Sequence, residues 1–65
     1  MIKVFGTPVA QRKTKKGKNL YLIVLDNGTL VKAITSKQVE LLKPTEFVAK
    51  SFVADNGQLI LMCDE

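Results

Sequence analysis

Leu20-Tyr21-Leu22-Ile23-Val24-Leu25-Asp26-Asn27-Gly28-Thr29-Leu30-Val31-Lys32-Ala33-Ile34 decides the fold class. Residues 20–25 are apolar on both faces and rich in strand formers, as in a central strand. Asn27-Gly28 supplies the positive φ angles of a two-residue type I′ turn, which predicts a hairpin turn over 26–29. Residues 30–34 then form the returning strand.

Outward from this hairpin the pattern repeats. Residues 47–54 lead into Asp55-Asn56-Gly57-Gln58, a second predicted turn over 55–58, and Leu59-Ile60-Leu61-Met62-Cys63 returns. At the N-terminal side, Ile2, Val4 and Gly6 alternate with Lys3, Phe5 and Thr7, a first strand ending near Pro8 or Ala10. Between the hairpins, Thr35 and Gln38 have capping-box spacing, Val39 and Leu42 share a helical face, and Pro44 stops the run. That spacing predicts a short helix over 36–43. Five strands with a helix between the third and fourth is the order of a small OB-like Greek-key barrel, an all-β fold, with an SH3-like barrel as its nearest rival.

The chain has 65 residues, enough for one domain spanning 1–65, which buries only about 60% of the surface its unfolded chain exposes. It contains no histidine and one cysteine, Cys63, which excludes an internal disulfide and a zinc site of His and Cys. No cofactor or metal is expected, and a partner subunit is the remaining source of extra stability. No nucleophile, base and orienting group can be assembled, so an enzyme is not expected. The apolar runs are far shorter than the ~20 residues of a membrane span, and no export signal is visible. With an unpaired cysteine, the expected location is cytoplasmic.

Charge is distributed unevenly. Lys3, Arg12, Lys13, Lys15, Lys16 and Lys18 all precede the first acidic residue, Asp26, while the rest of the chain has more acids than bases. Arg12-Lys13-Thr14-Lys15-Lys16-Gly17-Lys18 lies in a predicted basic loop over 11–19, expected to project into water as a mobile finger. Its complement is a polyanion, because lysine and arginine along a phosphate backbone release counterions. The alternative reading is a solvated loop that only aids solubility.

Four aromatics bear on the choice. Lys3 and Phe5 share one face of the first strand, Lys50 and Phe52 one face of the fourth, and Tyr21 follows the basic loop. Such lysine–aromatic pairs fit a base-stacking platform, whereas phenylalanines in so small a chain also serve as core. Tyr21 is the better stacking candidate because its hydroxyl favours a partly wet site. Lys32 adds a possible phosphate contact.

Met1-Ile2-Lys3-Val4, Gly17-Lys18-Asn19-Leu20-Tyr21, Leu25-Asp26-Asn27-Gly28, Val31-Lys32-Ala33-Ile34-Thr35, Leu42-Lys43-Pro44 and Asn56-Gly57 occur in an order that resembles the single-stranded DNA-binding (helix-destabilising) proteins of filamentous bacteriophages. The chain departs from their pattern in a shorter length, a compact wing, fewer aromatics, one residue inserted before the tyrosine, and no proline there. An ungapped comparison puts Leu20 at the tyrosine place. The resemblance implies an OB-fold, cooperative binding of single strands, a homodimer formed through the C-terminal hairpin, and DNA contacts by Arg12, Lys13, Lys15, Lys16, Lys18 and Tyr21.

The expected function is therefore largely sequence-independent binding of single-stranded nucleic acid, DNA favoured over RNA, in phage or mobile-element replication. If phage-encoded, the protein would act in the bacterial host cytoplasm. Two other readings stay open: a duplex DNA or RNA binding module, and a small phage-type inhibitor that docks an acidic protein surface.

Overall fold

The structure, a computed structural model, describes residues 1–64. The chain is all-β: β1 (Ile2–Lys13), β2 (Asn19–Val24), β3 (Leu30–Thr35), β4 (Thr45–Ala49), β5 (Ser51–Asp55) and β6 (Gln58–Met62). They form one sheet in the order β4-β1-β2-β3-β6-β5, curled into a half-barrel. β3 and β6 run parallel, and the other neighbours are antiparallel. Among the described residues no helix is long and apolar enough to cross a membrane.

The curl is set by β1, which serves two neighbours. Ile2 to Gly6 pair with β4, and Thr7 to Lys13 pair with β2. At the changeover Gly6 lies so close to β2 that a Cβ there would stand 2.5 Å from Ile23 Cγ2 and 2.9 Å from the Val24 carbonyl oxygen. Three residues on, the register shifts between Pro8 and Ala10, leaving Val9 as the extra residue of a β-bulge. A bulge bends its strand and increases its twist. Glycine and bulge together wrap β1 around the core.

Alternation along β2 and β3 sends Tyr21, Ile23, Val31 and Ala33 to the concave side, where they meet Phe47, Ala49 and Leu61. The Tyr21 and Phe47 rings pack at 6.3 Å between centroids. Among the described residues no buried side-chain polar atom lacks a hydrogen-bond partner.

Four expectations are corrected. The sheet has six strands, not five, because the expected fourth strand breaks at Lys50. There the chain leaves β1 and crosses to β6, with Lys50 N–H donating to the Met62 carbonyl (2.9 Å). The helix over 36–43 is replaced by a strap of bends and one turn. Thr35 ends β3, and its hydroxyl accepts from Lys37 N–H (3.1 Å), a local bond that competes with helix formation. Val39 N–H donates to the Tyr21 hydroxyl (2.7 Å) and Leu42 N–H to the Pro8 carbonyl (2.7 Å), so these donors are satisfied by the barrel.

The 26–29 turn is not type I′. Asn56 and Gly57 have φ of 51° and 79°, as that type requires, but in the first turn Gly28 alone is positive. Gly28 N–H donates to the Leu25 carbonyl and Leu25 N–H to that of Thr29 (both 2.9 Å), a three-residue connection. Finally, the basic loop is shorter than 11–19, because β1 and β2 stay paired out to Lys13 and Asn19.

Replacing Gly6 by alanine drives a Cβ into both the Ile23 side chain and the Val24 carbonyl, so β1 must withdraw from β2. Gly6→Ala is expected to cost about 1–3 kcal/mol, read as a lower denaturation midpoint with unchanged slope. A midpoint equal to that of the parent chain would show that the close approach is not required.

Candidate nucleic-acid interface

The segment between β1 and β2 is an ordered hairpin end. Thr14 N–H donates to the Lys18 carbonyl (2.8 Å), Gly17 N–H to the Thr14 carbonyl (2.9 Å), and Lys18 N–H to the Thr14 hydroxyl (3.1 Å). Gly17 takes φ of 85°, which a side chain with a Cβ adopts only at a cost. This is the connection found at Leu25 to Thr29, with threonine and glycine in the equivalent roles. The finger expected from the charge run is a hydrogen-bonded turn that presents Lys15 and Lys16 to solvent.

Cross-strand register places the remaining cations. Arg12, Leu20, Ile34 and Met62 form one row across β1, β2, β3 and β6, and Ala10, Leu22, Lys32 and Ile60 form the next. Both rows lie on the convex face, opposite the core. Leu20, Leu22, Ile34, Ile60 and Met62 are only half-buried there, whereas a sheet with one solvated face ordinarily turns polar residues outward. Thr14, Lys15, Lys16 and Lys18 overhang Ile34 and Met62, enclosing a groove of about 350 Å³. The structure therefore brings Arg12, Lys15, Lys16 and Lys18 to one end of the convex face, with Lys32 in the middle of β3 one row further in. Lys13, opposite Asn19, is exposed at the same end.

The other candidates lie elsewhere. Tyr21 is fully buried, so its assignment as a stacking residue is corrected: the ring is core and the hydroxyl anchors the strap. Lys3 and Phe5 do share an exposed face, but on the part of β1 paired with Val48 and Glu46 of β4, away from the basic turn. Lys50 sits at the strand break beside Met62. Phe52 is 57% exposed, yet it pairs with Leu61 and so belongs to the opposite face from Met62.

Sequence reasoning missed the polar lock beneath the turn. Gln11 Nε2 donates to Asn19 Oδ1 (2.8 Å), and the buried Asn19 donates through Nδ2 to the Lys37 carbonyl (2.9 Å). It also missed Asp64, whose carboxylate accepts from Ser36 N–H (2.7 Å) and the Thr35 hydroxyl (3.4 Å) and lies 3.6 Å from Lys18 Nζ. Lys18–Asp64 is the one ion pair among the described residues. Desolvation pushes the Asp64 pKa upward, but the Ser36 hydrogen bonds and the Lys18 charge outweigh it, and the net shift is downward. Burial first, then Asp64, raises the Cys63 thiol pKa, with Lys37 opposing; such a thiol is a poor nucleophile at neutral pH. Among the described residues no cluster of three His, Cys, Asp or Glu could hold a metal ion.

Compared with models of known families, with characterised proteins and with solved structures, the chain gives no match.

Two outcomes follow from the anchors. Tyr21→Phe keeps the ring but leaves Val39 N–H without its acceptor, and it is expected to lower stability by about 1–2 kcal/mol while leaving oligonucleotide affinity unchanged; a stacking role would show the reverse. Because the Asp64 pKa is depressed on folding, its contribution is fully present above the unfolded value and fades as pH falls through the folded one. Asp64→Asn should accordingly melt below the parent chain at neutral pH, and the gap should close in acid. A gap that stays constant with pH would exclude the carboxylate clip.

Proposed function

We propose that the chain binds single-stranded nucleic acid, DNA in preference to RNA, with the convex β2–β3–β6 face and the basic turn. One observation carries the reading: Arg12, Lys15, Lys16, Lys18 and Lys32 converge on a half-buried apolar face. Cations alone match any polyanion. Joined to an apolar surface, they match a strand whose bases are unpaired and free to lie against protein while its phosphates meet the lysines. A duplex hides those faces. Phosphate contacts carry no sequence information, so binding is largely sequence-independent.

The strand arrangement supports an OB-like Greek-key barrel. β4 and β5 act as one strand interrupted at Lys50, pairing first with β1 and then with β6, while β3 and β6 run parallel. OB-folds bind oligonucleotides on the face of strands 2 and 3 with the loop joining strands 1 and 2, which here is the basic turn. The resemblance to filamentous-phage single-stranded DNA-binding proteins points the same way, to a role in phage or mobile-element DNA replication in the bacterial cytoplasm. Self-association fits β5, an edge strand exposed throughout, with Phe52 and Val53 uncovered. Such an edge invites pairing with another chain, and a homodimer through the C-terminal hairpin would cover it.

Fluorescence anisotropy with oligo(dT) at several salt concentrations tests the mechanism. With about four phosphates neutralised, log affinity should fall against log salt with a slope near −3, and Lys15→Ala/Lys16→Ala should reduce it to about −1.5. A flat response, or equal competition by duplex DNA, would overturn the single-strand reading.

A further inference from the structure

We propose that the groove between the basic turn and the β3–β6 ladder is a base subsite that favours thymine. The inference rests on the single-strand reading above and adds a base preference to it. Ile34 and Met62, register partners in β3 and β6, form the apolar floor. Thr14, Lys15, Lys16 and Lys18 form the rim.

Charged donors dominate the rim. A lysine ammonium has three donors and no acceptor. The Thr14 hydroxyl oxygen already accepts from Lys18 N–H, which leaves its proton to give. Asp64 bonds Lys18 but does not line the groove. A base seated with its C5 edge on the floor turns its position-4 substituent to this rim. Thymine brings a methyl group to the floor and the O4 acceptor to the lysines. Cytosine brings an amino group, a donor facing donors, and no methyl. Adenine likewise directs its N6 amino group outward, and guanine has acceptors but no methyl. The Met62 thioether adapts its shape to a flat ring. Uracil keeps the carbonyl and loses only the methyl contact.

The test is a titration of the whole chain with oligo(dT), oligo(dU) and oligo(dC) of equal length at one salt concentration. Comparing pyrimidines limits differences in self-stacking. Oligo(dT) is expected to bind about tenfold tighter than oligo(dC), with oligo(dU) between them. Met62→Ala should draw the dT:dC ratio toward one while leaving the oligo(dT) salt slope unchanged. Equal affinity for oligo(dT) and oligo(dC), with a steep salt slope, would overturn the subsite and leave the single-strand reading standing. No binding to any oligonucleotide would overturn both. A Met62→Ala protein that changes oligomeric state but keeps the parent ratio would show that the floor meets a second copy of the chain instead. Should that variant fail to fold, the three-oligonucleotide series on the parent chain still decides.

Discussion

The contact between Gly6 and the backbone of β2 is the constraint on which the half-barrel depends. The single sheet folds over its own apolar face. β1 makes that possible by pairing with β4 through one half and with β2 through the other. The two halves diverge where no side chain can stand. Had a Cβ occupied position 6, β1 would have had to withdraw from Ile23 and Val24, opening the wall that Tyr21 and Ile23 line. The Val9 bulge then adds the twist that carries the rest of β1 toward the basic turn.

The barrel end is closed by polar side chains that reach across the chain. Tyr21 supplies most of its volume to the core and its hydroxyl to the strap; Asn19 links Gln11 to Lys37; Asp64 ties the end of β6 to the start of the strap. Apart from Gln11–Asn19 within the first hairpin, each of these bonds joins residues at least 18 apart in sequence. A helix over 36–43 would have satisfied its own backbone locally and left the Tyr21 hydroxyl buried without a partner, at a cost comparable to a lost hydrogen bond. Tertiary bonding therefore outcompetes a weak local propensity, which a segment of about two turns could not have sustained alone.

The strands were legible because their signal is periodic: β2 and β3 alternate between core and convex face as residues 20–34 imply. The errors have a common physical source. Asp-Asn-Gly gives the same letters in both hairpins, yet of the two asparagines only Asn56 adopts positive φ; the first connection closes between Leu25 and Thr29 around three residues and the second between Asp55 and Gln58 around two, a matter of strand register that composition does not carry. Lys50 breaks a strand that is uniform in propensity because its neighbour changes from β1 to β6, a fact of topology alone. The Tyr21 hydroxyl favours a half-wet site by its chemistry alone, whereas Val39 N–H satisfies it inside. Arg12 and Lys13 read as loop because charge repels burial, but paired edge positions beside a turn leave their charges in water while the backbone stays in the ladder.

The order in the basic turn changes what its charge can do. A mobile finger would have to be fixed on binding, at about 1–2 kcal/mol for each backbone residue ordered. Here the backbone of residues 14–18 is fixed when the barrel folds, through bonds centred on Thr14, so only lysine side chains remain to be ordered by a ligand. Folding thereby bears a cost that association avoids, and it also bears the mutual repulsion of the cations crowded at one end. The Lys18–Asp64 pair relieves part of that repulsion and holds one cation against the barrel. Arg12 and Lys32 stand in adjacent rows among Leu20, Leu22 and Ile60, so the positive potential spreads from the turn onto an apolar sheet. Solubility alone would not require the leucines, isoleucines and methionine to lie beneath the lysines, and this pairing of surface types is what the proposed single-strand reading draws on.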